Sequence, residues 1–179
     1  TLQLAAAGWQ VTAIEMSESR AARLRENRER TGLRFEIAIA DVLKWSPDAP
    51  AQAVLVDAPC SATGIFRRHP DVLHRAHGGI VAEMALLQAR ILDRAAGWVA
   101  PGGTLVYATC SLEPEEGEAQ IERFLREHPD FAIRAPAEGE LPAGIAPEPE
   151  GWVRTLPGML ETVGGCDGFF VARVERASA

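Results

Sequence analysis

The chain has 179 residues, 47% of them hydrophobic and 24% charged, enough to bury one sizeable core in a single globular domain, residues 1–179. No run approaches the roughly 18 uninterrupted apolar residues of a membrane span, and no charged segment leads into an apolar stretch at the amino terminus, so the chain reads as cytoplasmic. The net charge of −7 argues against a surface that holds nucleic acid by bulk attraction, while leaving room for a local basic patch.

Residues 1–8, Thr-Leu-Gln-Leu-Ala-Ala-Ala-Gly, read as a helix, and a β-rich run over 9–15 ends in an acid, Glu15. Ser17 offers an N-cap and Glu18 a first-turn acid for a helix through about Arg30, closed by Gly32. A second strand over 34–39 leads to Asp41, and a third apolar run ends at Asp57. From Gly78-Gly79 a long helical pattern carries Ile80, Met84, Leu87, Ile91 and Trp98, and Pro101-Gly102-Gly103 terminates it. Strand 104–109 follows. Glu113-Pro114-Glu115-Glu116 then opens a helix through about Glu127, with Ile121, Phe124 and Leu125 on its apolar side and acids suited to the helix dipole. Residues 135–151 hold four Pro, three Gly and four Glu and read as a loop, and a strand from Gly168 to Val174 closes the chain.

Strands alternating with helices imply an α/β fold with a parallel sheet and right-handed crossovers, Rossmann-like in architecture. Such a sheet normally opens with a strand and a glycine-rich turn. Residues 1–8 look like the helix after that turn, so the chain is expected to start one β-element late.

In this fold class ligands bind beyond the carboxyl ends of the strands, and that is where the informative residues stand. Glu15, Asp41 and Asp57 end three successive strands and would line one rim of a nucleoside-sized pocket, Glu15 in the position that takes a ribose hydroxyl. Cys60 and Cys110 follow two apolar runs, 53–58 and 104–109, and each is itself followed by Ser. Singly, each thiol suits a small buried hydrophobe as well as a nucleophile; the matching placement of the pair favours chemistry. Three cysteines with no C-x-x-C indicate neither a disulfide framework nor a zinc site, and no metal is expected. Beyond Cys60, Arg67-Arg68-His69 sit in or beside a loop marked by Thr63-Gly64 and Pro70-Asp71. They are a basic concentration on an acidic chain, placed to contact phosphates.

Four motifs in order, Asp57-Ala58-Pro59-Cys60-Ser61, Thr63-Gly64 with Arg67-Arg68-His69-Pro70-Asp71, Thr109-Cys110-Ser111 with Glu113-Pro114-Glu115-Glu116, and Asp167-Gly168-Phe169-Phe170-Val171-Ala172-Arg173, together resemble the Sun/Fmu-type RNA (cytosine-5) methyltransferases, most closely the bacterial 16S ribosomal-RNA branch. The resemblance implies a Rossmann-like S-adenosylmethionine-dependent fold with an antiparallel C-terminal strand and an RNA substrate. It implies Cys110 as the nucleophile that adds to carbon 6 of cytosine, Cys60 as the thiol that assists release, and Asp57 against the base or the methionine end of the cofactor. Glu15 matches the ribose-binding acid and Asp41 the residue beside the adenine; Arg67, Arg68 and His69 are expected on the RNA. Family members carry a cofactor loop ending in Gly-Gly-Lys-Thr. Thr1-Leu2-Gln3-Leu4 resembles its continuation, so loop, first strand and any amino-terminal RNA-binding domain are expected to be missing.

Two other readings stay open: a Rossmann-like oxidoreductase using a nicotinamide cofactor, with Glu15 on the ribose, and a catalytically silent fragment that only binds RNA or a partner. Hydride transfer has no use for a thiol at both strand ends.

Overall fold

In the computed structural model, which describes residues 1–178, the first unit, Thr1–Ser46, is built where the local signals place it. It comprises α1 (Leu2–Ala6), β1 (Thr12–Glu15), α2 (Glu18–Thr31) and β2 (Glu36–Ile39). The Ser17 hydroxyl accepts from the Arg20 N–H, satisfying one of the first-turn donors of α2, and Gly32 closes the helix in the left-handed conformation at φ 67°. β1 and β2 pair in parallel from Thr12 opposite Glu36 to Glu15 opposite Ile39, and the Ala40 N–H donates to the Glu15 carbonyl. Glu15 and Asp41 therefore leave the same end of this pair.

The second unit, Pro47–Ala179, holds β3 (Ala51–Asp57), α3 (Val72–Arg75), α4 (Gly78–Ala96), β4 (Val99–Thr109), α5 (Glu118–Glu127), β5 (Phe131–Ile133), β6 (Val153–Thr155), β7 (Pro157–Leu160) and β8 (Phe169–Arg176). Its sheet has the order β3-β4-β8-β5, with β6 also on β8. β3 and β4 are parallel, and β8 is antiparallel to all its neighbours. β8 divides its outer edge, giving residues 169–171 to β6 and 174–176 to β5. Its alternation puts Phe170, Ala172 and Val174 on the face that also carries Leu105, Tyr107 and Thr109 of β4. α4 packs on β3 and β4, and α5 packs on α4. Leu92, Leu105, Phe124 and Phe170 are fully buried in this core, each contributing about 1.5–3 kcal/mol.

Three local expectations change. The long helix ends at Ala96, and Pro101-Gly102-Gly103 lies inside β4, because pairing begins at Val99 opposite Ala51 and resumes at Thr104 opposite Ala53. Residues 100–103 stand opposite Gln52 as a bulge, with Gly102 at φ 72°. The acid-rich run 113–116 is not the first turn of α5: Pro114–Glu116 is a separate 3-10 turn, and Gly117, at φ −122° and ψ −98°, breaks it from the helix. β5, β6 and β7 flank the expected loop, and β5 and β6 both pair with β8. The buried face of α4 runs through Val81, Gln88, Ile91, Leu92, Ala95 and Ala96; of the expected stripe Ile91 lies on it and Trp98, past the helix end, is buried too, whereas Ile80, Met84 and Leu87 are half-buried.

Candidate active site

β3 and β4 run side by side with Asp57 opposite Ala108, and the Ala58 N–H donates to the Ala108 carbonyl at 2.9 Å. The two strands thus release the chain at one level. There the sulfurs of Cys60 and Cys110 meet at 3.5 Å, both free and half-buried. Asp57 is exposed at the end of β3.

Beyond Cys60 the chain turns sharply, with Ala62 in the left-handed region at φ 59°, a conformation costing an L-residue about 1–2 kcal/mol. Hydrogen bonds on both sides offset that cost. The Ser61 N–H and O–H both donate to the Glu116 carboxylate, at 2.9 and 2.5 Å. The Thr63 hydroxyl accepts from the Leu112 N–H at 2.9 Å, and the Gly64 N–H donates to the Cys110 carbonyl at 3.0 Å. Ser111, the residue after Cys110, places its hydroxyl 3.2 Å from that of Ser61 and 3.3 Å from that of Thr63. Glu116 is 0% exposed. Gln88 donates to both Glu116 and the Pro59 carbonyl, and the Glu116 carbonyl accepts from the hydroxyls of Tyr107 and Thr109.

The sulfur pair is chemically unequal. The two sulfurs share a hydrogen bond in which either can donate, and with Cys60 as its partner the Cys110 pKa is lowered from 9.0 to about 7 against burial and the nearby Asp57 and Glu116 carboxylates. Cys60 moves the opposite way, its proton held by Cys110 and its ionised form opposed by burial. One sulfur is prepared as a thiolate and its neighbour as a thiol. A thiolate is the nucleophilic form of cysteine.

The basic loop is tethered. Arg67 donates from both terminal nitrogens to the carbonyls of Cys166 and Gly164, at 3.0 and 3.3 Å. Arg68 pairs with Asp167, its Nε 2.7 Å from Oδ2 and its Nη2 on the same oxygen. The Arg68 side chain is nevertheless 64% exposed, and His69 is exposed. Sequence reasoning placed these residues in a loop but missed its attachment to residues 164–167 and the burial of Glu116. The signal for the first was Asp167 just before the closing strand; periodicity carried none for the second.

In the first unit, Glu15 accepts from the Ser17 N–H and from Arg20 on Oε1, both at 2.7 Å, and from Arg20 Nε on Oε2 at 2.9 Å. Arg20, then Ser17, hold its carboxyl below the usual carboxylate range. Asp41 accepts from the Leu43 N–H at 3.0 Å, with the Lys44 ammonium 3.9 Å away. Among the described residues no group of three metal-ligating side chains is assembled, and no helix is long and apolar enough to cross a membrane.

Comparison with known proteins places this geometry. The family model for 16S rRNA methyltransferase RsmB/F matches residues 1–175. Ribosomal RNA small subunit methyltransferase B of Klebsiella pneumoniae is 41% identical over 168 residues, which is 92% of this chain and 36% of that protein. The chain therefore spans about a third of the length of the curated relatives it matches. Among solved structures, PH0851 superposes with a TM-score of 0.81 at 31% identity, over 93% of this chain and 37% of that one. NSun6 from Pyrococcus horikoshii, solved with SFG, gives 0.78 at 25% identity over 95% and 42%. The likeness supports the α/β methyltransferase fold with its antiparallel closing strand.

Proposed function

Because the chain belongs to the 16S rRNA methyltransferase RsmB/F family, we propose that residues 1–179 are the catalytic domain of a cytoplasmic RNA (cytosine-5) methyltransferase that takes its methyl group from S-adenosyl-L-methionine and acts on a cytosine of ribosomal RNA. The observation that carries this reading is the pair of free, half-buried sulfurs at 3.5 Å where the parallel strands β3 and β4 release the chain.

Carbon 5 of cytosine is too weak a nucleophile to accept a methyl group unaided. The Cys110 thiolate adds to carbon 6, forming a C–S bond and moving the double-bond pair onto carbon 5. Asp57 is assigned to the base, passing a proton to N3 as negative charge builds on the ring. Bound S-adenosylmethionine supplies an electrophilic methyl group. Loss of the carbon 5 proton then re-forms the double bond and expels Cys110 as thiolate, and Cys60, held on the same sulfur, assists that release.

The residues of the first unit suit this cofactor by the chemistry of their donor set. Glu15 is an ionised, acceptor-only carboxylate, and its three accepted N–H bonds leave about one of some four lone-pair sites for a ribose hydroxyl. Asp41 stands at the adenine. The substrate base must leave its stack before a thiol can reach carbon 6, and Arg67, Arg68 and His69 hold the flanking phosphates with donors their loop contacts leave over.

The test is methyl transfer to 16S ribosomal RNA by the complete protein. Cys110→Ala reduces it about a thousandfold or more, and Cys60→Ala leaves protein trapped on RNA in a denaturing gel. A Cys110→Ala enzyme that methylates normally, or a Cys60→Ala enzyme that turns over with no adduct, would overturn the assignment.

A further inference from the structure

Glu116 touches both cysteine turns from one buried position. Its side chain takes two hydrogen bonds from Ser61, the neighbour of Cys60, and one from Gln88, which also binds the Pro59 carbonyl. Its main-chain carbonyl takes the hydroxyls of Tyr107 and Thr109, the strand that delivers Cys110. We propose that Glu116 is a positioning residue for the thiol chemistry, a buried carboxylate that clamps the Cys60 turn onto the end of β4 and so sets the sulfur–sulfur distance.

The physical case rests on what else could satisfy these groups. A fully buried carboxylate is tolerated only where donors surround it, and here they come from Ser61 and Gln88. Neither is a cation, so hydrogen bonds alone satisfy the carboxylate. A like charge opposes the thiolate, and Glu116 indeed pushes the Cys110 pKa upward. A group serving only to raise reactivity would not be acidic. The carboxylate suits Ser61, whose N–H and O–H fall on its two oxygens, whereas an amide offers one accepting oxygen for both donors. Ala62, strained at φ 59°, is the next residue, so the turn is held against its own preference.

This role rests on the reading of Cys60 and Cys110 as a working pair, so the test reads the thiols directly. Diamide is added to the 179-residue chain, and the rate of Cys60–Cys110 disulfide formation is measured by peptide mass spectrometry, beside the pH dependence of Cys110 alkylation by iodoacetamide. Glu116→Ala and Ser61→Ala slow the cross-link about tenfold or more, since displacement of a reacting group by about 1 Å carries losses of that order. Ser61→Ala keeps the carboxylate and its Gln88 bond, so it reports even where Glu116→Ala fails to fold. Glu116→Gln keeps the shape but loses the charge, and moves the alkylation midpoint of Cys110 to lower pH by about half a unit. A scaffold role alone leaves that midpoint unmoved. Unchanged cross-linking in Ser61→Ala together with an unchanged midpoint in Glu116→Gln overturns the proposal. Slowed cross-linking in Ser61→Ala, beside an unsubstituted complete protein that transfers no methyl group, sinks the methyltransferase reading and leaves the positioning role standing.

Discussion

Gly64 and Gly168 cross in backbone contact: the Gly168 N–H donates to the Gly64 carbonyl at 2.8 Å, and a Cβ built on Gly168 would lie 3.0 Å from the Gly64 Cα. A Cβ on Gly64 would collide with the Gly168 carbonyl. The crossing joins the loop after Cys60 to the start of β8, and the Gly64 N–H continues it to the Cys110 carbonyl.

Gly64→Ala must therefore push one backbone off the other. It should cost about 1–3 kcal/mol, as overpacking of a filled site does, and lower the melting temperature by about 2–4 °C per kcal/mol. Gly78→Ala is the control of opposite sign. Gly78 opens α4 with open space at its Cβ position, so alanine there should stabilise by about 0.5–1 kcal/mol. Thermal unfolding of both variants checks the pair; equal shifts would contradict the crossing.

Alkylation reports the unequal sulfurs. Iodoacetamide consumes thiolate, so labelling of Cys110 should rise as pH passes through about 7, two units below its ordinary value of 9.0, while Cys60 stays protonated and slow. Cys60→Ala removes the sulfur partner that lowers the Cys110 pKa. Its midpoint should move up by about one unit or more, and a midpoint that stays near 7 would show that another group sets it.

Arg67 and Arg68 are tethered to the 164–167 loop yet keep donors to spare, which makes their effect on RNA measurable apart from their effect on the fold. Replacing both with Ala should reduce the salt slope of RNA binding by roughly one to two, at about 0.7 per phosphate contact on a single strand. Asp167→Asn breaks only the ion pair, at a cost of at most about 1 kcal/mol because Arg68 is largely exposed, and should leave that slope alone. Affinity across a salt series decides; identical slopes in parent and double variant would reduce the arginines to loop supports.

Glu15→Gln keeps the size of the side chain and removes its charge. Calorimetry with S-adenosylhomocysteine should show binding weakened about tenfold or more, the worth of a charge-assisted hydrogen bond to a ribose hydroxyl. Unaltered affinity would mean that Glu15 serves Arg20 and Ser17 alone.

The elements that sequence reasoning placed correctly are those whose causes are local. Ser17 and Gly32 bound α2 because a cap and a left-handed closing residue act within one turn, and Glu15 and Asp57 are the last residues of β1 and β3, where the apolar runs of the sequence give out. The two cysteines were singled out for the same reason, each being the first reactive group past a buried run. The misplaced end of α4 shows the limit. Pro101-Gly102-Gly103 is a helix stop by composition, but once Ala51 offers Val99 a pairing partner the same residues become a bulge within β4.

What tertiary structure alone decided are relations between residues far apart in the chain. Arg68 meets Asp167, and Glu116 leaves solvent to hold Ser61, because β8 enters antiparallel beside β4 and the 3-10 turn after Cys110 folds under the Cys60 loop. Sequence determined that two thiols and three acids stand at strand ends. That the two thiols lie 3.5 Å apart follows from the parallel register of β3 and β4, since only packing fixes which strand ends are neighbours.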